Sequence, residues 1–157
     1  YANMIRRTEK AGVDGVLFLD LPVEESEEIV GLLDKNRINN IVLVTPTSPE
    51  ARVKEIVRAG RGFVYCVSRA GVTGMQDKLS TDADRIVKIT RKHTKLPVAL
   101  GFGISTPELA VASAKAADAI VVGSAIVNQF HQAGPSADGR RKATAWVAAM
   151  VKAVKEI

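Results

Sequence analysis

The sequence has few of the side chains that form disulfides or bind zinc. Its 157 residues include one cysteine, Cys66, and two histidines, His93 and His131. A single cysteine cannot form an internal disulfide, and these three residues are too few for a zinc cluster. We therefore expect no metal site, a buried Cys66 in the core, and a reducing compartment such as the cytoplasm.

Aromatic residues and long apolar runs are scarce as well. Aromatic residues make up 4% of the chain, too few for a platform on which bases stack. The net charge is +5, but the 22 basic residues are mixed with 17 acids, and no basic run exceeds Arg140-Arg141-Lys142. This pattern argues against nucleic-acid binding. No apolar run reaches the roughly 18–20 residues of a membrane helix, and residues 1–7 lack the apolar stretch of a signal peptide.

Short apolar runs alternate with segments of helical periodicity. The runs are continuously apolar, which is typical of parallel strands buried on both faces. The predicted strands are 15–19, 40–44, 62–67, 97–100 and 119–122. The predicted helices are 24–36, 49–59, 82–93, 107–116, a short 125–131 and an amphipathic 140–157 that contains Trp146. This alternation predicts right-handed βαβ units, hence an α/β fold, in one domain over residues 1–157.

Glycine-rich loops follow three successive predicted strands, at residues 68–74, 101–105 and 123–125. Glycine lets a backbone approach a ligand closely, and free N–H groups at helix starts attract anions. In (β/α)8 barrels, the loops after the last two strands commonly bind phosphate together with the start of a short extra helix. The loops therefore favour a phosphate site around Gly74, Gly103 and Gly123, with simple turn glycines as the alternative.

Two helix starts have similar sequences, Thr47-Ser48-Pro49-Glu50 and Ser105-Thr106-Pro107-Glu108. Each predicts a capping box with a hydroxyl at the N-cap, proline in the first turn and glutamate at N3.

Two other residues have more than one interpretation. Asp20, at the end of the first strand, is an acid/base group, a helix cap or an interface contact. Tyr65 points either into the mouth of a barrel or into the core.

Four ordered motifs resemble the tryptophan synthase alpha chain family. They lie at residues 12–25, 65–74, 101–108 and 122–127, and Tyr1-Ala2-Asn3 resembles a family segment at the end of the third strand. The resemblance implies a (β/α)8 TIM barrel, of which only about strands 4–8 and their helices are represented. It also implies a cytoplasmic lyase of tryptophan biosynthesis that cleaves indole-3-glycerol phosphate to indole and glyceraldehyde 3-phosphate. This chain would carry no cofactor. Its partner in an α2β2 heterotetramer would be a β chain with pyridoxal phosphate.

The resemblance also implies roles for individual residues. Gly74, Gly103, Gly123 and Ser124 would bind the substrate phosphate. Tyr65, Thr73 and Phe102 would line the substrate pocket with Tyr1 beside it, and the loop from Thr73 through Lys78 would close over it. Asn3, Asp20 and Pro22 would lie toward the β chain.

The match has gaps that keep two alternatives open. The family's catalytic Glu and Asp have no match in this sequence. The stretch between Asn3 and Gly12 is shorter than the helix that the family has there, so we expect residues to be missing at that point. The alternatives are a non-catalytic phosphate-binding half-barrel fragment, or another phosphate-binding TIM-barrel enzyme. The motif at residues 101–108 argues against the latter.

Overall fold

The computed structural model describes residues 1–68, 81–101 and 103–157, and parallel strands alternate with helices along these ranges. The strands are β1 (Gly15–Leu17), β2 (Asn39–Val44), β3 (Val64–Val67), β4 (Val98–Gly101) and β5 (Ala119–Val121). The helices are α1 (Ala2–Lys10), α2 (Glu27–Lys35), α3 (Glu50–Ala59), α4 (Thr81–His93), α5 (Pro107–Ala116), α6 (Ser124–Ala133) and α7 (Ala137–Lys155), with a 3-10 turn at Val23–Glu25. The strands pair in parallel in the order in which they occur along the chain. The predicted α/β fold is therefore confirmed.

The two faces of the sheet have different surroundings. One face carries Val44, Cys66 and Leu100, which are completely buried against α3 and α4. The other carries a paired row across four strands that contains Leu43, Tyr65, Ala99 and Ala119. Because successive strand residues point to opposite faces, the first face packs on helices and the second faces the interior that the strands surround. This arrangement explains why the strands are continuously apolar.

Smaller apolar clusters support the two ends of the sheet. Beside β1, buried residues of α1, α2 and the following loop pack together, namely Ile5, Ile29, Leu33 and Ile38. Beside β5, Met150 and Trp146 of α7 pack on Ile104 and on α5. The apolar stripe predicted for the last helix is thus its packing surface. Among the described residues, no helix combines the length and the apolar character needed to cross a bilayer.

The first residues form a helix that leads into β1. Tyr1 is the N-cap of α1, whose first turn closes with a bond from the Ile5 N–H to the Tyr1 carbonyl at 2.9 Å, so Ala2 and Asn3 lie in the first turn of a helix. The nine residues of α1 run without a break to Gly12, which turns the chain at a φ of +74°. The expectation that residues are missing here relative to the family stays a prediction. Only Ile5 of α1 is buried, so the sequence has no apolar stripe there.

The two predicted capping boxes have different outcomes. Thr106 is the N-cap of α5 and accepts a bond from the Leu109 N–H at 3.3 Å, which confirms the hydroxyl cap, but Glu108 stands at N2 rather than at the predicted N3. The start of α3 is different, because Pro49 takes the N-cap position and Glu50 is the first helical residue. The hydroxyl of Ser48 instead lies 3.0 Å from that of Thr45 in the preceding turn. The prediction of a capping box at α3 is therefore wrong.

The amino ends of β4 and β5 are fixed by one carboxylate. Asp118 accepts a bond from the Val98 N–H at 2.8 Å and another from Arg91 at 3.0 Å, while its own N–H donates to the Val98 carbonyl at 2.9 Å. The bond from the Val98 N–H is the main reason that the pKa of Asp118 lies below its usual value. Asp118 thus ties two strands and α4 together at the edge opposite to the glycine loops.

Candidate functional site

Gly103 and Gly123 leave the carboxyl ends of two paired strands at equivalent positions. Gly101 of β4 pairs with Val121 of β5, and each loop glycine follows its paired residue by two positions. Both glycines are exposed, and Gly103 has a φ of +79°, a conformation that favours glycine. The two loops therefore begin side by side at the same edge of the sheet. Gly74 lies outside the described residues.

Helix α6 begins directly at this edge. Gly123 is its N-cap and Ser124 its first residue, and both are exposed. A side chain built at Gly123 would meet no atom of the described residues within 4 Å, so the space beside it is open with respect to them. The first N–H groups of a helix have no partner within the helix and carry a partial positive charge, which attracts anions. The arrangement can hold a phosphate group. Its assignment as a phosphate site stays a prediction.

Tyr65 lies across β4 on the face away from the helices, over Gly101. A Cβ at Gly101 would be 2.7 Å from Cζ of Tyr65 and closer still to its hydroxyl oxygen. The phenol therefore occupies the space that a side chain at Gly101 would need. Tyr65 is half-buried, and this burial raises the pKa of its phenol. The choice left open by the sequence is resolved, since Tyr65 faces the interior surrounded by the strands rather than the helix layer.

The role of Gly101 was missed from the sequence. The motif at residues 101–108 indicated a loop around both of its glycines. Gly101, however, belongs to β4. A glycine within a strand is itself a signal that another group approaches the backbone closely. Two further residues predicted for the pocket, Thr73 and Phe102, lie outside the described residues.

The residues predicted for the rim and the partner interface are at the β1 end. Tyr1 is 70% exposed, and its ring packs edge-on against Phe18 with centroids 6.3 Å apart. Asn3, Asp20 and Pro22 are exposed as well. Asp20 does not cap a helix, because Pro22 and Ser26 take the N-cap positions that follow it. The structure thus leaves all four residues exposed, and their predicted contacts are not tested.

The described residues contain no group of three or more His, Cys, Asp or Glu side chains that could hold a metal ion. Cys66 is completely buried with its sulfur 3.5 Å from the Thr90 hydroxyl, and burial raises the pKa of its thiol. This confirms the prediction of a core cysteine. His93 ends α4, and its Nε2 lies 3.0 Å from a carboxylate oxygen of Glu50 on the surface.

Parallel strands that alternate with helices, with glycine loops beyond the last two strands, define a partial (β/α)8 barrel. Solved structures agree, among them tryptophan synthase from Mycobacterium tuberculosis, with a TM-score of 0.85 and 29% identity over 98% of this chain and 56% of that one. A family model described as tryptophan synthase alpha chain matches residues 1–157. The chain belongs to the tryptophan synthase alpha chain family.

Individual relatives show the extent of the similarity. The tryptophan synthase alpha chain of Caldanaerobacter subterraneus is 48% identical over 128 residues, which is 82% of this chain and 48% of that protein. That of Opitutus terrae is 46% identical over 124 residues, which is 79% of this chain and 47% of that protein. The structure of the alpha subunit from Legionella pneumophila has a TM-score of 0.81 at 27% identity, covering 100% of this chain and 58% of that one. The chain spans about half the length of the curated relatives it matches.

Proposed function

We propose that this chain is the phosphate-binding part of a lyase that cleaves indole-3-glycerol phosphate to indole and glyceraldehyde 3-phosphate by a retro-aldol reaction. The observation that carries the proposal is the position of Gly103 and Gly123-Ser124, which lie beyond the carboxyl ends of paired strands at the start of α6. Family membership supports the choice of this reaction over that of another phosphate-binding barrel.

The phosphate is proposed to bind to backbone N–H groups rather than to basic side chains. Gly103, Gly123 and Ser124 supply these groups at the open start of α6, and Gly74 is proposed to complete the set. Fixed N–H donors hold an oxyanion without reorganisation, and the positive end of the helix dipole adds to the attraction. The remote phosphate would then position the glycerol chain and the indole ring for reaction.

The indole and glycerol groups are proposed to lie over Tyr65, with Thr73 and Phe102 beside them and Tyr1 at the rim. The half-buried phenol of Tyr65 offers a flat apolar surface next to the phosphate loops. The loop from Thr73 through Lys78 is proposed to close over the substrate and exclude water.

The acid and base are proposed to be the family's two carboxylates, which have no match in this sequence. One would protonate the indole ring carbon as its bond to the glycerol chain breaks. The other would stabilise the positive charge that develops on the indole nitrogen. Groups of this kind each contribute about a hundredfold to ten-thousandfold to a rate.

The proposed partner is a tryptophan synthase β chain that carries pyridoxal phosphate, in an α2β2 heterotetramer in the cytoplasm. The exposed region with Asn3, Asp20 and Pro22 is the proposed contact. This region lies at the β1 end of the sheet, three strands from β4, where the first of the phosphate loops begins. The chain could therefore bind the β chain and the substrate phosphate at the same time.

The test compares two glycine variants of the full-length protein that contains this chain. Gly103→Asp should weaken binding of indole-3-glycerol phosphate by at least about tenfold, because it adds bulk and negative charge beside the phosphate. Gly12→Asp is the matched control, since Gly12 is also exposed with a positive φ of +74° but lies at the α1–β1 turn. Binding is measured by calorimetry, and indole release is followed with and without a β chain. Unchanged affinity in Gly103→Asp would refute the phosphate site. Phosphate binding without turnover under either condition would favour the non-catalytic half-barrel.

A further inference from the structure

A cavity of about 140 Å³ lies between the sheet and α3, on the helix side and away from Tyr65. Val42 of β2 and Ile56 and Ala59 of α3 form its apolar walls, and Leu21 covers it. Ile56 and Ala59 are three positions apart, so they lie on the same face of the helix. The cavity is therefore a gap in the layer between strand and helix, separate from the proposed active site.

Two nearly buried polar side chains also line this cavity. Asn40 is 5% exposed, and its Nδ2 donates to the Ala59 carbonyl at 2.9 Å. Ser26 is 6% exposed, and its hydroxyl donates to the Val23 carbonyl at 2.7 Å. In the part of the chain that the structure describes, no donor is paired with Oδ1 of Asn40 or with the lone pairs of the Ser26 oxygen. The side chains of Asn40 and Ser26 thus offer acceptors that a ligand with an N–H group would satisfy.

The charged side chain described in the cavity lining, Arg52, already has partners. Arg52 also lines the cavity, but its guanidinium is bonded to Glu24 and lies 3.3 Å from a carboxylate oxygen of Glu55. The bond with Arg52 is the main reason that the pKa of Glu24 is lowered to about 2. The guanidinium of Arg52 is therefore already paired with carboxylates on the surface. A neutral ligand fits these surroundings best.

We propose that this cavity binds a neutral, flat aromatic heterocycle that carries one N–H donor. The size is suitable, since an engineered apolar cavity of about 150 Å³ binds benzene. The apolar walls take the ring, and the N–H group reaches an oxygen of Asn40 or Ser26. The site goes beyond the proposed function, because it uses none of the residues proposed for the phosphate or the substrate pocket, although Pro22 of the proposed β-chain contact also lines it.

The test uses indole and indene, two ligands of the same shape that differ in the N–H group. The full-length protein, labelled with 15N, is titrated with each ligand and followed by NMR. We expect indole to shift the side-chain amide of Asn40 and the backbone amides of Val42 and Ala59. We expect indole to bind roughly tenfold more tightly than indene, as the loss of one hydrogen bond predicts.

Two variants on the same helix locate the binding site. Ala59→Leu fills the cavity and should weaken indole binding at least tenfold. Ala51→Leu, at an exposed position of α3, is the matched control and should leave it unchanged. If Ala59→Leu does not fold, Ala59→Val provides the same test with a smaller side chain.

Three results would overturn the proposal, namely equal affinity for indole and indene, unchanged binding in the cavity-filling variant, or shifts confined to Tyr65 and Gly101. The last of these would leave the proposed lyase intact, because it would place indole in the substrate pocket alone. Conversely, a protein that fails to cleave indole-3-glycerol phosphate but shows the shifts at Asn40 would refute only the lyase.

Discussion

Gly101→Ala adds one methyl group at the closest contact of the candidate pocket. The new Cβ would lie 2.7 Å from Cζ of Tyr65, closer still to its hydroxyl oxygen, and 3.0 Å from Cβ of Val121. Because φ of Gly101 is not positive, alanine fits the backbone itself, and the closest contacts among the described residues are with these two side chains. Val121 is fixed in β5, so the phenol of Tyr65 must move. We expect this overpacking to lower the free energy of unfolding by about 1–3 kcal/mol.

A double-mutant cycle in urea unfolding measures this conflict directly. Tyr65→Ala removes a half-buried ring and should cost about 2 kcal/mol. When Gly101→Ala is combined with Tyr65→Ala, the added methyl group has space. The double variant should therefore be no less stable than Tyr65→Ala alone. The coupling energy between the two sites should therefore be at least about 1 kcal/mol. The affinity for indole-3-glycerol phosphate should fall in Gly101→Ala, because the displaced phenol occupies the proposed substrate position.

Gly31→Ala is the control for a glycine that has space around it. Gly31 lies within α2, where an added Cβ would meet no atom of the described part of the chain within 4 Å, so alanine should stabilise the protein by up to about 1 kcal/mol. If Gly101→Ala were as stable as the parent and kept its substrate affinity, the close approach of Tyr65 to Gly101 would be wrong. Additive effects in the cycle would refute the reasoning as well.

Two further predictions concern stability. Asp118→Asn weakens the bonds to the Val98 N–H and Arg91, so we expect a loss of about 1 kcal/mol at pH 7 in urea unfolding. Because the pKa of Asp118 is lowered by folding, its contribution is present above the unfolded pKa of about 3.9 and is lost as the pH falls through the folded pKa. The difference between parent and variant should therefore shrink below about pH 4, and a constant difference would contradict this account. Ser113→Ala should raise the melting temperature, since the Ser113 hydroxyl is completely buried and has no partner among the described residues. A lower melting temperature would show that the hydroxyl is satisfied.

The strands were predictable because the central ones have apolar residues on both faces. The run at 40–44 is an example, since Val44 packs on helices while Leu43 pairs with Tyr65 on the other face. Helix α1 was not predictable in the same way. Ile5 is its one buried residue, so the sequence contains little sign that this segment packs on the sheet. The capping box predicted at residues 47–50 did not form. The hydroxyls of Thr47 and Ser48 bond to that of Thr45 in the turn before α3.

The candidate site was predictable only in part. The glycines at 103 and 123 could be assigned to one edge because the carboxyl ends of parallel strands meet there. The contact between Tyr65 and Gly101 depends on the register of β3 against β4, which the sequence of one chain does not specify. The cavity beside Asn40 likewise depends on how α3 packs, so the unpaired acceptors could not be inferred from sequence.

Strand order along the sheet is the same as strand order along the chain. Every strand pairing therefore joins strands that are neighbours in sequence. The chain that must be closed to form each pair is short, so the loss of conformational entropy is small. Such a chain can gain structure one unit at a time, with each new strand templated by the one before it. Amide hydrogen exchange should accordingly be slowest in β3, which has a strand on each side within a four-strand paired row, and faster toward β1 and β5.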